Sequence, residues 1–483
     1  MIDVPGFRDA PGRGPAVAAE AMVATSQAPA TLAGLDMLRR GGSAADAAIA
    51  AAAVCCVAEP MSTGIGGDAF AIVWDGGAAT GLDAAGPAPR NAQPHEVPAA
   101  GGPRSVDVPG AVAGWAALSE RYGKLGLDTC LAPAIDLAER GVAAGYHCSW
   151  MWRHTAHAPA EFGPAPETGQ VFRLPDLGRT LRLIAGGGPQ AFYRGPVAAA
   201  MAASTWLTED DLAAYSAGWV EPLRYAYRGV DVLEMPPPTQ GVAALEALGL
   251  LSAVERPALG DRMRAVALAL EDAYAQVRDG ADVSGLLTPS HLSARGQDRP
   301  RLLREPAGGT VYLCALDGDG MAVSFIQSLY ESFGSGVVAP GTGVVLNNRA
   351  EGFGVSGSVE PGRRPYHTLM PGMLVENGRL RGPFGVMGGF IQAQAHVQYL
   401  ASVLDDGLDP QAALDRARFR IDAGRVRLEE GLASSAASLE AAGWPVHVEP
   451  DRMLFGGGQA IDIRAGRILG GSDPRKDGFA AGF

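Results

Sequence analysis

Residues 307–320 read Ala307-Gly308-Gly309-Thr310-Val311-Tyr312-Leu313-Cys314-Ala315-Leu316-Asp317-Gly318-Asp319-Gly320, and their reading decides the fold. Two glycines lead into a threonine that opens a strand-like run. A turn of alternating Asp and Gly then precedes a second run, Met321 to Tyr330. The plainest reading is a β-hairpin with a flexible lead-in. Reactivity suggests a sharper one. A threonine hydroxyl without a base is a poor nucleophile, whereas a threonine made N-terminal by cleavage carries its own α-amine as base. The preceding glycines permit the tight, strained turn that such a cleavage needs. The tripeptide alone does not choose between these readings.

Composition narrows the class. The chain has 483 residues, 66 of them Gly, and is 47% hydrophobic, enough for an ample core in two or three domains or one large layered unit. A net charge of −13 with scattered basic residues excludes a nucleic-acid footprint and an anionic-membrane patch. The longest apolar stretch, residues 44–58, is Ala-rich and interrupted by Asp46, so it does not read as a membrane span. The N-terminus lacks a basic n-region followed by an apolar h-region, and the expectation is a cytoplasmic enzyme. Cys55, Cys56, Cys130, Cys148 and Cys314 are odd in number and show no CxxC spacing, so they read as reduced thiols. The histidines are scattered without ligand context, and neither a metal nor an organic cofactor is implied.

Along the chain, residues 1–20 read as a loose arm and residues 28–57 as two helices, divided by Gly41-Gly42 with Ser43 as N-cap of the second. Gly64, Gly66 and Gly67 turn into an apolar strand and open no helix, which is not the context of a dinucleotide loop. Helical patterns follow at 110–141, 208–216, after Pro236-Pro237-Pro238, and at 261–279. Residues 286–309 read as an exposed loop or processing linker. Strands dominate to about residue 346. A strand pair within 367–389 then runs into a helix near 392–405, another helix and strands follow, and 470–483 reads as a loop. The pattern predicts stacked sheets covered by helices.

From residue 22 to residue 479 the chain resembles the gamma-glutamyltransferase family of N-terminal-nucleophile hydrolases. The segments that carry the resemblance are, in order, EPMSTGIGGDAF, VPGAVAGW, LAPAIDLAERG, TEDDLAAY, MPPPTQG, GGTVYLCALDGDGMAVSFIQSLYESFGSG, PGTGVVLNN, RRPYHTLMPGM and GVMGGFIQAQA. The resemblance implies an α+β fold, a four-layer αββα sandwich of two antiparallel sheets. It implies that Thr310 attacks the Gly309 carbonyl and that an N-to-O acyl shift follows. Ester hydrolysis would then leave fragments 1–309 and 310–483 as one intertwined unit. The freed α-amine of Thr310 then acts as base in turnover. By the same resemblance Ser328 orients the nucleophile, Gly388 and Gly389 form the oxyanion hole, and Asn347 and Asn348 are structural.

The substrate pocket departs from true gamma-glutamyltransferases. Ala85 stands where the family's carboxylate-binding arginine belongs, and Gly352 where its amine-binding aspartate belongs. Tyr330 replaces an asparagine, and His367-Thr368 replaces a Ser-Ser pair. Losing charge-assisted partners from a desolvated site argues against γ-glutamyl recognition. The replacements resemble an acylase-like branch that includes oxamate amidohydrolase and cephalosporin acylases. In that branch Tyr330, Arg349, Arg364, His367 and Thr368 are substrate-pocket candidates, and the substrate is a small carboxylate-bearing amide. The expected assembly is a homodimer of processed heterodimers. Three other readings stay open: a gamma-glutamyl enzyme with a rebuilt pocket, a hydrolase of specialised metabolism, and a non-catalytic unprocessed scaffold.

Overall fold

The computed structural model describes residues 13–93, 101–155, 158–302 and 309–483. Two seven-stranded sheets form its centre. One runs, edge to edge, through Phe479–Gly482, Met22–Thr25, Gly309–Leu316, Ala322–Tyr330, Asp68–Trp74, Ala79–Ala84 and Gly218–Val220. The other runs through Ala16–Ala18, Arg467–Ser472, Gly457–Arg464, Arg379–Met387, Gly372–Glu376, Val230–Glu234 and Leu223–Tyr227. Neighbouring strands in both sheets are antiparallel.

The strand Gly309–Leu316 shows how the layers form. Successive side chains of a strand point to opposite faces. Val311, Leu313 and Ala315 join the core shared with the helix Ala44–Ala58, while Tyr312, Cys314 and Leu316 join the core between the sheets. A strand covered on both faces reads as a continuous apolar run, which is the pattern TVYLCAL shows. The helix Ala44–Ala58 is buried along its whole length and is capped by a reciprocal Ser43–Asp46 box. Its alanines allow close approach to the sheet. Helices Gly241–Leu251, Leu259–Gln276 and Ile391–Leu404 cover the other sheet. The result is the αββα sandwich expected from the sequence.

Three segments depart from their sequence reading. Within 286–309, residues Pro289–Arg295 form a helix capped by Thr288, and Arg295 bonds Glu271 at 2.9 Å and Asp272 at 2.7 Å. Residues 303–308, the part of the expected linker just before Gly309, lie outside the described residues. The supposed terminal loop contains the edge strand Phe479–Gly482, paired with Met22–Thr25. Its glycines disguised it. A Cβ on Gly478 would sit 1.8 Å from the Thr25 carbonyl oxygen, so glycine there permits close approach. The N-terminal arm contributes the strand Ala16–Ala18, paired with residues 468–470. Among the described residues no helix is long and apolar enough to cross a membrane, and all five cysteines are free and buried.

Candidate active site

Thr310 lies at the start of its strand and is buried. The ladder to Ala322–Tyr330 pairs Gly309 with Tyr330 but Val311 with Gln327, a bulge that frees Thr310 from regular pairing. Its Oγ1 lies 2.7 Å from the Gly309 carbonyl oxygen and 3.4 Å from Ser328 Oγ. Ser328 Oγ donates to the same carbonyl at 2.6 Å and accepts the Tyr330 N–H at 2.7 Å. Two hydroxyls thus converge on the one carbonyl that Thr310 would attack. Glycine at 67 is required behind them, because a Cβ there would meet Ser328 O at 2.2 Å. The Gly64/Gly66/Gly67 turn therefore builds the wall of this site.

Gly388 and Gly389 have φ of 127° and 69°, a left-handed backbone that glycine accepts freely. They follow the strand Arg379–Met387, which packs across the hairpin of Gly309–Leu316 and Ala322–Tyr330. A Cβ on Gly385 would touch the Tyr312 ring, and Ser324 Oγ lies 3.4 Å from Phe384 O. Because Ser324 pairs with Cys314, passing from residue 384 to 385 moves toward the Thr310 end of the hairpin. The glycine pair turns the chain into the helix Ile391–Leu404 beyond that point. His396 on this helix accepts the Val386 N–H at 3.1 Å through Nε2 and bonds Glu234 at 2.7 Å through Nδ1. Burial pushes the His396 pKa down to about 3, so the ring is neutral and Nδ1–H donates to Glu234.

A second cluster centres on Asp68, the register partner of Ser328. Asp68 accepts Arg349 Nε at 3.1 Å and the Gly86 N–H at 3.1 Å, and His367 Nε2 lies 3.4 Å away. Arg349 is fully buried and stacks on the Tyr330 ring at 4.7 Å from its centroid. Tyr330 has φ of 83°, which an L-residue seldom adopts and which marks stored local strain. Burial, then Arg349, pushes His367 toward its neutral form, and its Nδ1 lies 2.7 Å from the Pro365 carbonyl. Asn347 Oδ1 accepts the backbone N–H of both Arg349 and Asp107, while Asn348 ties the same turn to Leu329 and Glu331. The pairing of asparagines thus sets the turn that delivers Arg349.

Tyr330, Arg349 and His367 are brought together beside Ser328. Thr368 is buried, and its carbonyl accepts from Gln240. Arg364 stands apart: its Nε and Nη2 bond Asp279 at 2.9 and 2.6 Å, and its Nη1 bonds Asp83. Its donors are spent on an ion-pair strut, the alternative to a binding role. Ala85 joins the inter-sheet core, and a Cβ on Gly352 would meet Tyr366 O at 2.5 Å. At Gly352 the Tyr366 backbone fills the space that a side chain would need. A cleft of ≈ 350 Å³ opens nearby, lined by residues including Asp83, Ala85, Val108 and Arg364. Sequence reading missed Asp68 and Asp107; the available signal was an acidic residue inside otherwise apolar segments. It also missed Glu246, Asp272 and His291, whose ligand atoms lie within 4.8 Å of one another. Arg295 already bonds Asp272, His291 Nε2 lies 2.8 Å from Glu246, and burial pushes Glu246 up to about 10.

Residues 30–483 match the family described as Gamma-glutamyltranspeptidase. The chain belongs to the gamma-glutamyltranspeptidase family. This gamma-glutamyltranspeptidase-family hydrolase is 32% identical to the oxamate amidohydrolase proenzyme of Klebsiella pneumoniae, over 93% of this chain and 96% of that one. It is 30% identical to the glutathione hydrolase-like YwrD proenzyme of Bacillus subtilis, over 96% and 98% of the two chains. Among solved structures, a cephalosporin acylase from Bacillus halodurans superposes with a TM-score of 0.92 at 38% identity, covering 100% of this chain and 99% of that one. The two-sheet sandwich is therefore that of the family's N-terminal-nucleophile hydrolases.

Proposed function

We propose that this protein is a self-processing N-terminal threonine hydrolase that cleaves an amide of a small carboxylate-bearing acyl group. The observation that carries the reading is the convergence of Thr310 Oγ1 and Ser328 Oγ on the Gly309 carbonyl. In processing, Thr310 Oγ attacks that carbon, the C–N bond to its own nitrogen breaks, and water hydrolyses the ester, leaving Gly309 as a carboxylate. The freed amine of Thr310 takes the hydroxyl proton when substrate arrives, and the acyl group passes to Oγ and then to water. The amide's nitrogen leaves with the proton. Gly388 and Gly389 supply backbone N–H donors to the oxyanion, a contribution of about 3–4 kcal/mol per donor.

Arg349 is the cation that reads the acyl carboxylate, while His367, neutral and held by Pro365, supports Asp68 behind it. Relatives named as acylase and amidohydrolase support this substrate class. The test is a denaturing gel of purified protein. Wild type and Thr310→Ser should give two fragments, Thr310→Ala one intact chain, and only the processed forms should hydrolyse a carboxylate-bearing monoamide. Cleavage that persists in Thr310→Ala would end the nucleophile assignment. Robust release from a γ-glutamyl anilide would instead favour a rebuilt glutamyl pocket.

A further inference from the structure

Two side chains beside the nucleophile are fully buried and yet unsatisfied. Arg349 spends Nε on Asp68, but its Nη1 and Nη2 have no hydrogen-bond partner among the described residues. Neither carboxyl oxygen of Asp107 has one, and Asp107 is as buried as Arg349. The two residues are neighbours in space, because one Asn347 oxygen receives the backbone N–H of each, at 3.1 and 3.0 Å. Leaving buried donors and acceptors unmade costs about 1–3 kcal/mol each, more when charged. Against a total stability of roughly 5–15 kcal/mol, four such atoms in one place are a heavy burden. Buried polar groups kept free at such cost point to a ligand that completes them.

We propose that Asp107 is a specificity residue acting with Arg349, and that together they hold the distal carboxylate of a short dicarboxylic monoamide. This rests on the reading of Thr310 as nucleophile for the substrate class, though not for the binding itself. Arg349 offers Nη1–H and Nη2–H as a fork for the two carboxylate oxygens. Asp107, as the neutral acid, donates its O–H to the same group. Burial first, then the neighbouring Asp68 charge, favours that neutral form, with Arg349 opposing. A neutral acid in this position avoids setting a second anion beside the ligand. Val108, its chain neighbour, lines the cleft of ≈ 350 Å³, which therefore comes within one residue of Asp107 along the chain. The arrangement replaces the family's clamp with one built from other positions.

The test is calorimetric titration of the purified enzyme with the C2–C5 dicarboxylates oxalate to glutarate, each against the monocarboxylate of equal length. No turnover is needed. At least one dicarboxylate should bind wild type ~30-fold tighter than its partner, the worth of about one net charge-assisted bond. Arg349→Met and Asp107→Ala should erase that preference, and Asp107→Asn, which keeps a neutral donor, should stay within about threefold of wild type. Circular dichroism checks each fold, and Asp107→Leu replaces the alanine variant should that one fail to fold. No dicarboxylate preference in wild type overturns the proposal. So does a preference that survives Asp107→Ala, or one that Asp107→Asn destroys, since an ionised Asp107 would then be acting on Arg349 and not donating to the ligand. A processed, active enzyme without the preference sinks the subsite alone. An unprocessed, inactive chain that keeps the preference sinks the nucleophile alone.

Discussion

At the residue scale, each atom of the Thr310–Ser328–Gly309 triangle has its own measurable role. Ser328→Ala removes one of two hydroxyls on the Gly309 carbonyl. It should slow self-cleavage by about 10–100-fold, the worth of one such bond in a buried site, as followed by the intact band over time. Restoring the family's glutamyl clamp should fail. Gly352→Asp drives a side chain into Tyr366 O and should destabilise by about 2 kcal/mol, read from the urea midpoint, without γ-glutamyl activity even when combined with Ala85→Arg. Glu351, beside Glu331, is pushed by burial and then by that charge from 4.5 to about 7. An acid with a raised native pKa stabilises the fold below its unfolded value and loses that contribution as pH rises through the native one. The urea midpoint should therefore fall between pH 4.5 and 7 in wild type, and Glu351→Gln should flatten that slope.

At the scale of elements, Arg364 ties the end of the strand Ala79–Ala84, through Asp83, to Asp279 just beyond the helix Leu259–Gln276. Breaking a buried pair costs about 3–5 kcal/mol, and partial exposure of Arg364 reduces this. Arg364→Met should cost about 2 kcal/mol in urea unfolding while leaving kcat/KM within a few-fold of wild type. Arg349→Met, by contrast, should abolish turnover of the carboxylate-bearing substrate. Much of this layer was legible in the sequence. Ser43, Thr208, Gly41-Gly42 and the TVYLCAL run each declare an element through local chemistry, and the structure keeps them. The glycine-rich edge strand Phe479–Gly482 and the helix Pro289–Arg295 were not legible. Their stability comes from partners distant in sequence, Met22–Thr25 for one and Glu271 with Asp272 for the other.

At the scale of the molecule, cleavage after Gly309 would cut the first peptide bond of a strand in the interior of its sheet. Gly309–Leu316 pairs with Met22–Thr25 on one side and Ala322–Tyr330 on the other, and the latter pairs with Asp68–Trp74. Fragments 1–309 and 310–483 should therefore co-elute from size exclusion in native buffer and separate only in denaturant. Separation without denaturant would contradict a shared core. The sequence by itself determined the family and the layered fold and named Thr310 as the candidate nucleophile, because these depend on residue identity at positions read locally and in order. Only the tertiary structure distinguishes Arg349 from Arg364. Two arginines equal in the sequence differ by the partners that folding supplies: Asp83 and Asp279 occupy one, while Asp68 leaves the tip of the other unpaired. It alone brought Asp107 to Arg349, since residues far apart in the chain meet only when Asn347 draws both backbones to a single oxygen.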